Sequence, residues 1–238
     1  DPRMVDDVRD QAELLNDLRQ ALMRGQMELY YQPKIHAPSA QVTAAEALLR
    51  WHHPRRGMVS PAVFIPLAER NGLIGALGAW VIDEACKQAR QWRDLGLRMR
   101  VAINLSAHQL RQPGLPAHIG AALAKHQINP DLLTCEITES VAMEDTEATM
   151  RFFSELAAVG VHISIDDFGS GYSSLAYLRK LPATELKIDR GFVLDLENSE
   201  EARKIAEAVV SLAQALNMKV VAEGVETDAQ YQILRRLG

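Results

Sequence analysis

Seven short apolar runs alternate with longer amphipathic segments, and this alternation restricts the fold more than any other feature of the chain. The runs predict β-strands over residues 29–33, 42–48, 100–106, 133–138, 162–167, 185–189 and 219–223. The segments between them predict helices over residues 60–70, 76–95, 145–159, 199–216 and 228–237. Strands separated by helices of this length indicate βαβ units, so the sequence predicts an α/β domain built on a parallel sheet.

Composition limits the class of protein and its partners. The chain has 238 residues, 47% of them hydrophobic, which is enough to bury a large core. Its net charge of -5 provides no basic surface for long nucleic acids, so we expect no polymeric nucleic acid as a partner. Neither a membrane span nor a signal peptide is visible, and we expect a cytoplasmic protein or the cytoplasmic part of a larger one. Cys86 and Cys135 lie in apolar stretches and are expected to be buried free thiols.

Polar side chains recur at or near the carboxyl ends of six predicted strands. They are Glu46, Asn104, Glu136, Asp166, Asp167, Lys187, Asp189 and Glu223. Any one of them could simply cap a loop or a helix. Their repetition over six strands favours a shared site, because the carboxyl ends of the strands of a closed parallel barrel meet on one face.

Several carboxylates in one pocket would raise each other's pKa, so the predicted site needs cations. Carboxylate and amide oxygens, without clustered histidine or cysteine, select hard ions such as Mg²⁺, Mn²⁺ or Ca²⁺. Two ions sharing an aspartate can clamp a phosphodiester and activate water, which predicts metal-assisted phosphate hydrolysis. An enolase-like proton abstractor is an alternative, but the adjacent Asp166 and Asp167 favour two neighbouring ions over one.

An ordered set of motifs makes the chain resemble the EAL domain family over residues 26–238. The motifs are YYQP at 30–33, EALLRW at 46–51, NLS at 104–106, EITE at 136–139, DDFGSGYSSL at 166–175, LKID at 186–189 and AEGVE at 222–226. The resemblance implies a TIM-like (β/α)8 barrel with an antiparallel first strand. It also implies hydrolysis of one phosphodiester bond of cyclic di-GMP to linear pGpG. The sequence ends before an eighth strand, so we expect the final strand and helix to be missing.

The resemblance also implies roles for individual residues. One metal ion would be held by Glu46, Asn104, Glu136 and Asp166, while Asp166 would bridge to a second ion held by Asp167 and supported by Glu223. The residues expected to act in catalysis are Lys187, Glu223, Asp189 and Glu46. Among these, Lys187 would contact the attacking water or the phosphate, and Asp189 would position Lys187. The ions would be Mg²⁺ or Mn²⁺, with Ca²⁺ expected to inhibit.

Substrate and regulation follow from the same resemblance. Gln32, Leu48 and Arg50 would contact cyclic di-GMP, with arginine suited to phosphate. A regulatory loop would comprise Phe168, Gly169, Ser170, Gly171, Tyr172, Ser173 and Ser174, anchored by Glu139. In the family this loop connects the metal site to a homodimer interface, so a homodimer is expected. The alternative function is a cyclic di-GMP sensor without catalysis, which should show substitutions in EALLRW, DDFG or LKID, and none is present.

Residues 1–25 predict a separate amphipathic helix with Leu14, Leu18 and Leu22 on one stripe. Two interpretations are open. The helix could cover the bottom of the barrel, or it could be a connector to an upstream sensory or diguanylate cyclase domain absent from this sequence. His52 and His53 are expected on a loop surface.

Overall fold

A curled, mostly parallel β-sheet organises the protein. The computed structural model describes residues 2–144, 146–171 and 174–238, with side chains from residue 9 onward. The strands are β1 (Met27–His36), β2 (Gln41–His53), β3 (Gly57–Val59), β4 (Arg100–Asn104), β5 (Leu133–Thr138), β6 (His162–Phe168), β7 (Glu185–Ile188) and β8 (Lys219–Ala222). They are ordered β1-β2-β4-β5-β6-β7-β8, and β3 pairs with β2 alone. Strand β1 is antiparallel to β2 and the later neighbours are parallel, which confirms the predicted α/β fold with an antiparallel first strand.

Eleven α-helices accompany the strands in the described residues, and those between the parallel strands cover the outer face of the sheet. They are α1 (Pro2–Ala21), α2 (Pro61–Arg70), α3 (Ile74–Asp94), α4 (Ala107–Leu110), α5 (Leu115–His126), α6 (Glu139–Ala142), α7 (Glu147–Val159), α8 (Leu175–Leu178), α9 (Arg190–Asp195), α10 (Glu200–Ala215) and α11 (Asp228–Leu237). Helix α5 was not predicted, although the parallel pairing of β4 with β5 requires a crossover there. The predicted start of α7 at Asp145 lies outside the described residues.

Alternation along the strands separates an apolar outer face from a polar inner face. Val101 and Ile103 of β4, and Ile163 and Ile165 of β6, are fully buried in the main core with residues of α3, α5 and α7. The residues between them point to the concave side of the sheet. Among the described strands, β8 and β1 do not pair, so the sheet is open between them and the barrel is incomplete, as expected from the sequence.

The first two strands are longer than predicted. Strand β1 continues three residues beyond Pro33, to His36, and β2 continues to His53. Pro33 is tolerated because β1 is an edge strand of the described sheet. A residue without a backbone N–H can lie there without removing a hydrogen bond between strands.

Helix α1 packs at the carboxyl end of the parallel strands, so the expectation that it covers the bottom of the barrel is wrong. Leu14 and Leu18 are buried in a second core with Trp51 and Phe64. Trp51 lies five residues beyond Glu46 on β2, which places this core at the rim where the predicted site residues lie.

The expected surface position of His53 is also wrong. His53 belongs to β2, is only 3% exposed, and contacts Asp17 Oδ2 of α1 through Nε2 at 2.9 Å. Its Nδ1 accepts from the backbone N–H groups of Arg55 and Arg56, so Nε2 carries the proton donated to Asp17. His52, on the opposite face of β2, is exposed.

Candidate active site

Four strands bring four carboxylates around one buried ammonium group. The Nζ atom of Lys187 lies 2.5 Å from Glu223 Oε1, 2.7 Å from Glu136 Oε2, 3.2 Å from Asp166 Oδ2 and 3.4 Å from Glu46 Oε2. Lys187 is fully buried. All five side chains were predicted to share a site, and the structure brings them together on the concave side of the sheet.

The negative charges of the four carboxylates outnumber the single positive charge of Lys187. Burial opposes the charged form of Lys187, but Glu136 and the other carboxylates outweigh burial and hold its pKa above the usual range. Burial and the charge of Glu136 together raise the pKa of Glu46, although Lys187 acts in the opposite direction. Burial likewise raises the pKa of Glu223 against the effect of Lys187. One ammonium group therefore compensates only part of the negative charge that surrounds it.

Glu136 differs from the other acids because it contacts two lysines. Its Oε1 accepts from Lys34 Nζ at 2.6 Å, while its Oε2 accepts from Lys187. Burial would raise the pKa of Glu136, but the two ammonium groups outweigh burial and lower it. Lys34 also lies 3.6 Å from Glu185, which accepts a hydrogen bond from Ser164.

Lys34 was not among the predicted site residues. Strand β1 was predicted to end at Pro33, one residue too early to include it. A longer strand would have shown that Lys34 shares the face of Gln32, two residues away, and therefore points toward the site.

Asn104 is positioned by the end of β4 and by Glu46. Its amide nitrogen donates to Glu46 Oε1 at 2.8 Å, which leaves the amide oxygen as the atom suited to a cation. Asn104 is also the Cα partner of Glu136 on β5. The three residues predicted to share one metal ion with Asp166 thus belong to one connected group.

A local irregularity in β6 makes neighbouring aspartates converge. Consecutive residues of a regular strand point to opposite faces. Between Ile165 and Phe168 the register against β7 shifts by one residue, and Asp167 adopts a left-handed backbone with φ of 54°. Asp166 Oδ1 accepts from the Asp167 backbone N–H at 2.8 Å, which stabilises this conformation.

Oxygen atoms of Asp166, Asp167 and Glu223 lie within 4.8 Å of one another. Burial and the charge of Asp166 raise the pKa of Asp167, so these acids repel one another in the absence of compensation. The group offers only hard oxygen ligands. Its chemistry therefore fits a divalent ion such as Mg²⁺, Mn²⁺ or Ca²⁺.

The predicted substrate residues extend from this cluster along β1 and β2. Gln32 is the Cα partner of Glu46, and Leu48 and Arg50 follow Glu46 on the same face of β2. Asp189, which was predicted to position Lys187, caps α9. Its Oδ1 accepts from the Gly191 backbone N–H at 2.7 Å. The positioning role of Asp189 therefore stays a prediction.

The loop after β6 is anchored by Glu139, the first residue of α6. Glu139 Oε2 accepts from the backbone N–H groups of Gly169 at 3.0 Å and Gly171 at 3.2 Å. Gly169 has φ of 99°, and a side chain there would approach the ring of Phe192 at 3.1 Å, so glycine is required at this position. Tyr172 and Ser173 of the predicted loop lie outside the described residues.

Comparisons with known proteins identify relatives of the chain. The bifunctional diguanylate cyclase/cyclic di-GMP phosphodiesterase MucR of Pseudomonas aeruginosa is 52% identical over 231 residues, covering 97% of this chain and 34% of MucR. Cyclic di-GMP phosphodiesterase NbdA of the same organism is 43% identical over 224 residues, covering 94% of this chain and 29% of NbdA. The chain thus spans about a third of the length of these curated relatives.

The fold comparison gives the same result. The solved structure of the PaMucR phosphodiesterase in complex with c-di-GMP has a TM-score of 0.92 and 52% identity, covering 95% of this chain and 92% of that one. Within the described residues, no helix combines the length and apolar character needed to cross a membrane. The EAL domain profile matches residues 15–238. The chain therefore belongs to the EAL domain family.

Proposed function

We propose that the chain hydrolyses one phosphodiester bond of cyclic di-GMP to linear pGpG with the help of two divalent metal ions. The observation that carries this proposal is the group of carboxylates around buried Lys187 at the strand ends. Relatives named as cyclic di-GMP phosphodiesterases support the choice of substrate.

Charge compensation supports the number of ions. Four carboxylates surround Lys187, Asp167 lies beside two of them, and Lys34 lies between Glu136 and Glu185. The site therefore holds six carboxylates and two ammonium groups. The cluster is left with four negative charges, which equals the charge of two divalent cations. We propose that Glu46, Asn104, Glu136 and Asp166 hold one ion, and that Asp166, Asp167 and Glu223 hold the other.

When bound, these ions would supply Lewis-acid polarisation of the phosphate and a water of lowered pKa. The chain's own residues would orient the reaction. Lys187, which can donate three hydrogen bonds, would bind a phosphate oxygen or the attacking water at the centre of the cluster. Arg50 would bind a phosphate from the rim of β2, and its planar guanidinium can donate two parallel hydrogen bonds. Gln32 and Leu48 would complete the substrate surface between them.

We further propose that the domain works within a larger signalling protein. Its relatives are about three times as long as the chain, which is consistent with additional sensory or diguanylate cyclase domains. Regulation through a homodimer and the loop anchored by Glu139 is part of this proposal, as is a cytoplasmic location.

The test is incubation of the chain with cyclic di-GMP and Mg²⁺, Mn²⁺ or Ca²⁺, with products separated by liquid chromatography. We expect linear pGpG with Mg²⁺ or Mn²⁺ and inhibition by Ca²⁺. Glu46→Gln should abolish turnover, whereas Glu200→Gln, on the exposed surface of α10, should behave as wild type. Tight binding without product under every metal condition would instead identify a cyclic di-GMP sensor, and absence of binding would refute the proposed substrate.

A further inference from the structure

The wall of the site continues above the acid cluster as a ladder of side chains on β1 and β2. In an antiparallel pair, directly opposed residues point to the same face. Tyr30 opposes Leu48, and Glu28 opposes Arg50, in the same register that pairs Gln32 with Glu46. Since Glu46 points to Lys187, the side chains of Tyr30 and Arg50 extend from the same face of the hairpin.

The Arg50 guanidinium lies over an aromatic ring. Its guanidinium carbon lies 5.5 Å from the centroid of the Tyr30 ring, within the range of a cation–π contact. Its Nη1 also donates to the Leu49 carbonyl oxygen at 3.0 Å. Two contacts therefore restrict the orientation of a long side chain that would otherwise sample many rotamers.

Tyr30 is itself supported from a second direction. The His52 ring lies 6.1 Å from the Tyr30 ring at 42°, and His52 Nε2 lies 2.9 Å from Glu28 Oε2. Yet Tyr30 remains 43% exposed. The exposed part of Tyr30 packs against no protein surface and is accessible to a ligand.

We propose that Tyr30 and Arg50 form a stacking platform for one guanine base of the substrate, with Tyr30 positioning the Arg50 guanidinium. This inference rests on the proposed function, because it assigns the guanine base to a place on the site wall. Purine bases stack on aromatic rings and on the faces of guanidinium groups, which leaves N–H groups at the edge of the Arg50 guanidinium for a phosphate. At about 3.3 Å per residue, Arg50 lies roughly 13 Å along β2 from Glu46, so the platform binds a base while a phosphate occupies the acid cluster.

The experiment compares Tyr30→Leu, Tyr30→Phe and Arg50→Ala with wild type. It measures KM and kcat for cyclic di-GMP with Mg²⁺, and Kd with Ca²⁺ by calorimetry. Tyr30→Leu should raise KM and Kd about five- to thirtyfold, with kcat changing less than about twofold. Tyr30→Phe keeps the ring and should restore KM to within about twofold of wild type. Val42→Ala, an exposed position at the other end of β2, is the matched control and should match wild type.

A double-mutant cycle tests whether the two residues act as one platform. In an Arg50→Ala background, Tyr30→Leu should raise KM by a clearly smaller factor than it does in wild type. The proposed platform would be overturned if Tyr30→Leu raised KM by the same factor in wild type and in Arg50→Ala. It would also be overturned if folded Tyr30→Leu had an unchanged KM or lost only kcat. A wild-type chain that neither binds nor cleaves cyclic di-GMP would overturn the proposed function and this inference with it, whereas wild-type activity with a silent Tyr30→Leu overturns the inference alone.

Discussion

The ammonium nitrogen of Lys34 lies 2.6 Å from Oε1 of Glu136, on the side of that carboxylate opposite Lys187. The Glu136 side chain is fully buried and the Lys34 side chain is 15% exposed. The pair therefore lies largely out of solvent, where loss of one partner leaves a buried oxygen without its donor.

Lys34→Met should lower the free energy of unfolding of the metal-free chain by about 1–3 kcal/mol, because Glu136 loses one of its two charged donors. Urea denaturation monitored by circular dichroism measures this change. Lys204→Met, at an exposed position on α10, is the control and should change stability by less than about 0.5 kcal/mol. A wild-type urea midpoint for Lys34→Met would show that Glu136 does not depend on Lys34.

Lys187→Met should destabilise the metal-free chain more strongly, since four carboxylates lose their shared counter-charge. Removal of one partner of a buried ion pair typically costs about 3–5 kcal/mol. Added Mn²⁺ should then raise the melting temperature of Lys187→Met more than that of wild type, because the cation replaces the missing charge. Thermal unfolding in EDTA and in Mn²⁺ gives both values, with Lys180→Met as the surface control. A smaller metal-induced rise in Lys187→Met than in wild type would contradict this account of the cluster.

Glu139→Ala should reduce Mg²⁺-dependent turnover by at least about tenfold while the chain stays folded. Its carboxylate holds the backbone N–H groups of Gly169 and Gly171, directly after the aspartates of β6. Glu139→Gln retains one acceptor oxygen and should keep an intermediate rate. The measurements are kcat and the urea midpoint for each variant, and unchanged kcat in folded Glu139→Ala would separate this anchor from catalysis.

The contact between α1 and β2 should depend on pH through Asp17. Hydrogen bonds from His53 and Arg55 lower the pKa of Asp17, while burial opposes them. A carboxyl with a lowered pKa in the folded state contributes stability above its unfolded value of about 3.9, and this contribution is lost as pH falls through the folded value. Asp17→Asn should therefore reduce the urea midpoint at pH 7, and its difference from wild type should disappear as the pH falls through the lowered pKa of Asp17. Asp195→Asn, on the exposed surface of α9, should show no such convergence, and a pH-independent difference for Asp17→Asn would argue against the ionic contact.

The two cysteines should be unreactive in the folded chain. Cys86 and Cys135 are buried free thiols, as predicted. Burial raises the pKa of Cys86 to about 12 and also raises that of Cys135, so little thiolate is present near neutral pH. Reaction with Ellman's reagent at pH 8 should release about two thiols per chain in denaturant and almost none without it. Rapid labelling of the native chain would show that the core opens around one of them.

Much of the site could be predicted because a polar residue follows the apolar run of several strands and so identifies each strand's carboxyl end. Glu46, Glu136 and Asp166 each follow an apolar run, and parallel pairing then brings them to one edge without further information. The proximity of the Asp166 and Asp167 carboxylates could not be derived from strand periodicity, since regular alternation would place these side chains on opposite faces of the sheet. The register shift that prevents this depends on the pairing of β6 with β7, which is a long-range property.

The errors have similar causes. Helix α5 was missed because its sequence, LPAHIGAALAKH, contains proline and glycine and lacks a clear charged face. The stripe of α1 was recognised, but its position depends on Trp51 and Phe64, which lie far away in sequence. The surface assignment of His53 failed for the same reason, since its partner Asp17 belongs to α1.

The register shift in β6 brings the carboxylates of two consecutive residues close enough to bind the same ion. Asp166 and Asp167 are fixed on one backbone segment, so an ion bound by the first would meet the second carboxylate at a smaller loss of conformational entropy than a ligand from a distant segment would require. The left-handed residue is the strained element that permits this arrangement. The path of the main chain thus preorganises the two proposed metal ligands, and Asp167→Gly should preserve that path while removing only the Asp167 carboxylate.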